Sequence, residues 1–416
     1  MTPVLHIAIG HLEGRPRQAI VSILGVMLGV GFFIGLAAMM QGLQQDFINK
    51  IISITPHVVI KDEFRNPPEQ PVFAVYPKGA VRLENVKPRQ EVRGLRNGQR
   101  MLAQISAMPG VRAAPSLETQ GIVRYGSEEL AITLVGVQPQ QEVHVSTIED
   151  DMQVGSLQDL LTTGNGVVLG VGVGEKLGAQ LGDVLSVVSP AGIVMRMKVV
   201  GIFSTGISAL DNQEAYILLK KAQVLSQRQN VINRIRLKLA DFKQSAQLAQ
   251  QLEKRYRYRT EGWEEINKNV LSIFVVQNGV IYSSVMAILI VACFGIFNII
   301  STVIMEKQKD IAILMSMGFE KRDIERIFVL QGLVIGVIGT ILGWGVGYTL
   351  CLLLDQVPIE VKEGAFVRLE GFVIMYWWGH YAIAGGIAIT SAVLAAYLPS
   401  RKAALLRPVD IIRGAS

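Results

Sequence analysis

The sequence predicts a membrane α-helical protein with four transmembrane helices and a large α+β extracytoplasmic domain of two subdomains. Three observations predict it. Four long stretches carry no charged residue, a long polar interval separates the first from the second, and Lys and Arg gather in the short connections on one side.

The first stretch runs over 18–45 and the second over 269–305, between Lys268 and Glu306. The third covers 327–354, between Arg326 and Asp355, and the fourth 371–400, between Glu370 and Arg401. About 20 apolar residues in helical form cross a bilayer core, and each stretch is longer than that. The first is too long for the apolar core of a secretion signal and reads as a retained anchor, although Ala37 and Ala38 near its outer end also suit cleavage. Half of all residues are hydrophobic and mean hydropathy is +0.37, an average over greasy spans and a domain of ordinary polarity.

Orientation follows from the short loops. Arg15 and Arg17 precede the first span; Lys307, Lys309, Lys321, Arg322 and Arg326 sit in loop 306–326; Arg401, Lys402, Arg407 and Arg413 sit in tail 401–416. With four spans these three segments share one side, which the positive-inside rule makes the cytoplasm. The loop 355–370 holds Asp355, Glu360, Glu363 and Glu370 against Lys362 and Arg368, as suits the outside. Domain 46–268 is then extracytoplasmic, and its basic residues do not oppose this, because long loops translocate largely regardless of charge. The pI near 9.2 therefore reads as membrane topology and not as nucleic-acid binding.

Patterning divides the outer domain into a membrane-proximal α+β subdomain, 46–125 with 231–268, and an inserted β-rich subdomain, 126–230. Thr55 to Lys61 and Val231 to Leu239 alternate like strands, and Val111 to Tyr125 reads as a strand or two. Gln99 to Met108 reads as a helix that Pro109-Gly110 ends, and Asp241 caps a second helix running to Tyr256. The Pro-rich, charged excursion 62–100 is either solvated chain or a partner-docking loop. The domain has no cysteine, so its own core must hold it; Cys293 and Cys351 lie in spans and read as packing residues.

Nothing in the chain suggests catalysis. The run Gly164 to Lys176 fails the phosphate-loop spacing, since Leu177 follows the lysine, and reads as a strand with tight turns. The five histidines lack metal-ligand spacing, no G-x-S-x-G elbow occurs, and no metal site is expected. The spans hold almost no ionisable side chain apart from His380, which argues against a hydrophilic pathway. Glycines recur at four-residue spacing instead: Gly25 and Gly29, Gly31 and Gly35, Gly332 and Gly336, then Gly339, Gly343 and Gly347. Such faces let helices pack closely, and those of the first span also suit a dimer interface.

Loop 306–326 carries the most specific segment, Glu306 to Phe319. Asp310 can cap a short helix, Gly318 suits a left-handed stop, and Ile311, Leu314, Met315 and Gly318 form one apolar stripe at i, i+3, i+4, i+7. Such a stripe can enter a groove on a partner or lie on lipid.

With this segment the chain resembles the FtsX/MacB-type ABC transporter permease superfamily, which has four spans, a large outer domain after the first, and an acidic-Ile-x-x-Leu-x-x-x-Gly signature between the second and third. Leu24 to Gly29, and Leu398 to Ala404 with Arg407-Pro408, are similar to its first-span and closing motifs. Asn298 to Val303, Asp310 to Gly318, and Val135-Gly136-Val137-Gln138-Pro139 leading to Gly155-Ser156-Leu157 most resemble lipoprotein-releasing permeases of the LolC/LolE type.

The resemblance implies an amphipathic leading helix over 1–17 and a non-catalytic subunit. A separate cytoplasmic ATPase would bind ATP and Mg, and a second permease copy or paralogue would complete the complex. Asp310, Ile311, Leu314, Met315, Met317 and Gly318 would couple to the ATPase. The implied cargo is a lipoprotein or lipid, passed to a periplasmic carrier, with an apolar cleft formed by Phe32, Phe33, Met39, Met40 and Phe47 with Phe274, Val275 and Ile281. Ordinary lipid-facing packing explains the same residues. Two rival readings stand: a MacB-like efflux or glycolipid exporter working with a periplasmic adaptor, and an FtsX-like regulator of cell-wall hydrolases.

Overall fold

The computed structural model describes residues 7–8, 10, 16–63, 65, 94–357 and 373–405. Most of the leading helix 1–17, the excursion 62–100, the loop 355–370 and the tail 401–416 therefore lie outside the described residues.

In chain order the main elements are α1 (Pro16–Ile54), β1 (Val58–Lys61), α2 (Gly98–Ser106), β2 (Val111–Tyr125), β3 (Glu128–Val137), β4 (Met152–Gly155), β5 (Gly166–Gly170), α3 (Val171–Leu177), β6 (Val184–Val188), β7 (Val194–Phe203), β8 (Glu214–Leu218) and β9 (Arg234–Leu239). Then come α4 (Ser245–Tyr256), β10 (Thr260–Gly262), α5 (Lys268–Glu306), α6 (Gln308–Ser316), α7 (Lys321–Asp355) and α8 (Trp378–Ala404). Helices α1, α5, α7 and α8 are long and apolar enough to cross a membrane. Among the described residues the chain forms two compact units: a membrane unit of those up to 46 with 272–357 and 373–405, and an outer unit of those from 47 to 271.

The membrane unit is built on missing side chains. A Cβ at Gly339 would lie 2.7 Å from Val26, at Gly343 2.6 Å from Val30, and at Gly347 2.8 Å from Ile34. In return, one at Gly31 would lie 2.8 Å from Val346. So α1 and α7 approach backbone to backbone, the contact that small residues permit in lipid. Gly332 and Gly336 receive Ala396 and Ala392 of α8 in the same way. The Gly31 face of α1 is thus occupied within the chain. Helix α8 starts at Trp378, later than the uncharged stretch begins, because Met375 donates its N–H to the Ala38 carbonyl at 3.0 Å instead of entering a helix.

In the outer unit, strand pairing runs β10-β1-β9-β2-β3-β8-β5-β7-β4, with β6 joined to both β2 and β7. The pairings β2–β3–β8–β5–β7–β6–β2 close a barrel. Alternate residues fill it: Leu134 of β3, Val167 and Leu169 of β5, Leu185 and Val187 of β6, Met197 and Val199 of β7, Ala215 and Ile217 of β8. Strand β2 belongs to two layers, since Val111–Ser116 pairs with β9 and Leu117–Tyr125 with β3. The transition between the layers therefore falls inside this strand. The Gly-rich run is β5 followed by helix α3, not a tight turn. Gly170 lies so close to the Asp211 backbone, and Gly172 to the Asn212 side chain, that a Cβ at either has no room. Gly178, at φ +66°, then ends the helix.

Candidate functional site

The segment between the second and third spans folds as α6, which begins at Gln308 without the side-chain cap expected of Asp310 and is ended by its own sequence. Lys307 Nζ lies 2.8 Å from Asp310 Oδ2 in the first turn. At the other end Phe319 N–H donates to the Leu314 carbonyl at 3.1 Å and Gly318 N–H to the Met315 carbonyl at 3.3 Å, the Schellman pattern, with Gly318 at φ +102°. Glu320 and Asp323 then form a capping box that starts α7.

Ile311, Leu314 and Met315 of the apolar stripe face inward, whereas Gly318 does not. Ile311 is 1% exposed, and Leu314, Met315 and Phe319 pack against the core of the membrane unit. The outward face of α6 instead carries Asp310, Ile313 (52% exposed) and Met317 (71%), with Lys309 and Gly318 exposed beside them. Of the six residues proposed for coupling, Asp310, Met317 and Gly318 lie on the surface, while Ile311 supports the helix from beneath. The spacing does not single out exposed Ile313, because in a segment this apolar two stripes compete and spacing alone does not tell which one the chain covers itself.

The residues proposed for an apolar cleft do not all face one way. Phe33 is buried in the bundle whereas its neighbour Phe32 is exposed, as two residues about 100° apart on a helix must be. Met39, Met40, Phe274 and Ile281 are half-buried, and Val275 is exposed. Phe47, in the outer unit, is buried.

A polar tie runs through this part of the membrane unit. Gln44 Nε2 donates to Asn278 Oδ1 at 3.1 Å, linking α1 to α5. One turn earlier Gln41 Oε1 lies 2.8 Å from Nε2 of His380, linking α1 to α8. His380 is buried, with the Trp377 ring set edge-on at 5.2 Å. Its neighbours are helices of its own chain. The signal in the sequence was the glutamine cluster closing the first uncharged stretch.

The outer unit holds a buried ionic network. Glu142, fully buried, pairs with Arg236 of β9 and accepts from Ser146 Oγ at 2.6 Å. Arg234 pairs with Glu118 at 2.8 Å. Glu214 lacks a cationic partner among these pairs and accepts from the Tyr216 hydroxyl at 3.1 Å. Burial, and then the charge of Glu118, push its carboxyl up to about 7. A cavity of about 150 Å³ opens between these groups, with Ile54, Val59 and Ile148 forming its apolar wall. Among the described residues no cluster of His, Cys, Asp or Glu could hold a metal ion.

Comparison with known proteins bears on the whole chain. The MacB-like periplasmic core domain family matches residues 19–255, and the FtsX-like permease C-terminal family matches 282–408. The chain is 26% identical to the lipoprotein-releasing system transmembrane protein LolC of Neisseria meningitidis, over 98% of both chains. It is 24% identical to LolE of Haemophilus influenzae over 97% of both, and 23% identical to the ABC transporter permease YknZ of Bacillus subtilis over 98% of both. The solved periplasmic region of MacB from Actinobacillus actinomycetemcomitans aligns with a TM-score of 0.32 at 14% identity, over 51% of this chain and 91% of that one. With both halves matched, the chain belongs to the ABC transporter permeases that combine a MacB-like periplasmic core domain with an FtsX-like C-terminal region.

Proposed function

We propose that this permease couples ATP hydrolysis by a separate cytoplasmic ATPase to release of lipoproteins from the bacterial inner membrane to a periplasmic carrier. The termini and α6 face the cytoplasm in this reading, the outer unit faces the periplasm, and a second permease copy or paralogue completes the complex. The chain itself is non-catalytic. The observation that carries the reading is the double face of α6. Ile311, Leu314 and Met315 seat it on its own bundle while Ile313 and Met317 stand free, so a partner gripping the outer face would move the bundle and not the helix alone.

The cargo assignment is supported by the LolC and LolE relatives, which match from end to end. Drawing an acyl chain out of a bilayer costs roughly 0.8 kcal/mol per exposed CH₂, so several chains need an apolar surface to follow. Exposed Phe32 and Val275, with half-buried Met39, Met40 and Phe274, are candidates for it, and thioether and aromatic side chains suit a greasy ligand of variable shape.

The test is Met317→Glu. Purified from membranes, the variant should lose the co-eluting ATPase yet insert normally, whereas Ile311→Glu should reduce the amount of folded chain. Unchanged ATPase recovery with Met317→Glu would reject the coupling face.

A further inference from the structure

Helix α1 ends with carbonyl groups that have no further turn to bond them, as every helix does. A cation is favoured at such an end, and α1 has no basic residue in its own last turn. Strand β9 supplies one. Lys238 Nζ lies 2.7 Å from the Ile52 carbonyl, 2.6 Å from that of Ser53 and 3.1 Å from that of Thr55. Three acceptors match the three protons of an ammonium group. Burial pulls its pKa down to about 8, so it still carries the proton at neutral pH.

His57 completes the arrangement. Its Nδ1 accepts from the Leu239 N–H at 3.1 Å, which leaves the proton on Nε2 to donate to the Ile52 carbonyl at 3.0 Å. Burial, and then Lys238, lower its pKa and favour that neutral form. The His57 backbone donates to Leu237 and accepts from Trp263. Val58 of β1 then stands opposite both Leu237 of β9 and Gly262 of β10, and β10 leads through Trp263–Ile266 into α5. The strands that follow α1 and precede α5 are therefore hydrogen-bonded neighbours, and Lys238 grips the helix end beside them.

We propose that Lys238, held with His57, is a positioning residue that locks the end of α1 to strand β9, so that displacement of α1 carries the outer sheet with it instead of being lost by bending at Thr55–Pro56. This rests on the transmission reading above, and the lock itself can be tested apart from it.

Spin labels at Asn49→Cys and Arg112→Cys, both exposed positions of the outer unit, report the distance across the lock in a background without Cys293 and Cys351. In the full complex with its ATPase, the unsubstituted lock should give one narrow distribution with and without trapped nucleotide. Lys238→Met should widen it at least twofold, and Lys238→Arg should restore it. Lys238→Met should also cut ATP-driven release of a fluorescent triacylated peptide from proteoliposomes about tenfold, with ATP hydrolysis and ATPase recovery unchanged. Should Lys238→Met fail to accumulate, Lys238→Gln takes its place with the same readings. Equal widths, or undiminished release despite a widened distribution, would overturn the lock. If the unsubstituted complex releases no acylated probe while the widths differ as expected, the cargo reading fails and the lock stands.

Discussion

Val30 occupies the place where Gly343 would carry a side chain: a Cβ on Gly343 would lie 2.6 Å from Val30 Cβ and 3.0 Å from the Met27 carbonyl. Neither neighbour can yield without separating α1 from α7. Gly343→Val should therefore lower the thermal stability of the detergent-purified chain by about 1–3 kcal/mol, the usual range for overpacking. Gly345, two residues on, has open space around its Cβ position, and Gly345→Ala should leave the midpoint within a degree. Equal effects at both positions would contradict the packing.

The tie between Gln41 and His380 makes a different demand. A hydrogen bond between membrane helices contributes about 0.6–2 kcal/mol. Gln41→Leu removes it and leaves a buried imidazole without that partner, so the unfolding midpoint should fall. Combining it with His380→Leu should recover most of the loss. Additive losses in the double variant would mean that the two side chains do not act as a pair.

Glu142 and Arg236 are buried together, so what matters is leaving one behind. Arg236→Met should cost about 3–5 kcal/mol by stranding the Glu142 carboxylate, whereas replacing both by apolar residues of similar size should be nearly neutral. The measurement is the thermal midpoint of each purified variant. A double variant as unstable as the single one would show that Ser146 and the surrounding fold need the charges themselves.

The spans were legible because lipid demands long uncharged helices, and little else in a sequence looks like 327–354. The fold of the outer unit was legible in parts. Thr55 to Lys61 and Val231 to Leu239 hold β1 and β9, while Asp241 accepts from the Lys243 N–H and so caps the 3-10 turn Phe242–Gln244 that precedes α4, not α4 itself. What escaped depended on partners distant in sequence. Strand β2 changes partner between Ser116 and Leu117, and its pairing with β9 joins residues more than 110 positions apart. Helix α3 is rich in glycine, the poorest helix former after proline, and is held by its packing beside Asp211 and Asn212. For α6 the periodicity picks out Ile311, Leu314 and Met315, which the bundle beneath covers, together with Gly318, which it leaves exposed. The Lys238 contacts were beyond reach, since they join residues more than 180 positions apart.

Glu214 gives the outer unit a pH dependence whose sign can be worked out. Its neighbours are Glu118, which opposes its ionisation, Arg234 and Arg236, which favour it but already serve Glu118 and Glu142, and Tyr216, which donates to it. Burial and Glu118 outweigh the rest, so the folded-state pKa rises from 4.5 to about 7. The folded chain thus holds this proton more tightly than the unfolded chain does. The stability it contributes is fully present below pH 4.5 and is lost as pH rises through about 7. At 1.36 kcal/mol per pH unit the difference between those limits is about 3 kcal/mol. Glu214→Gln keeps the shape and cannot ionise. Across pH 5 to 8.5 the unfolding midpoint of the purified full chain should fall more steeply for the native side chain than for Glu214→Gln, and above pH 7.5 the variant should be the more stable of the two. Parallel curves would mean that Glu214 ionises at its ordinary pKa, with water or Arg236 compensating the charge.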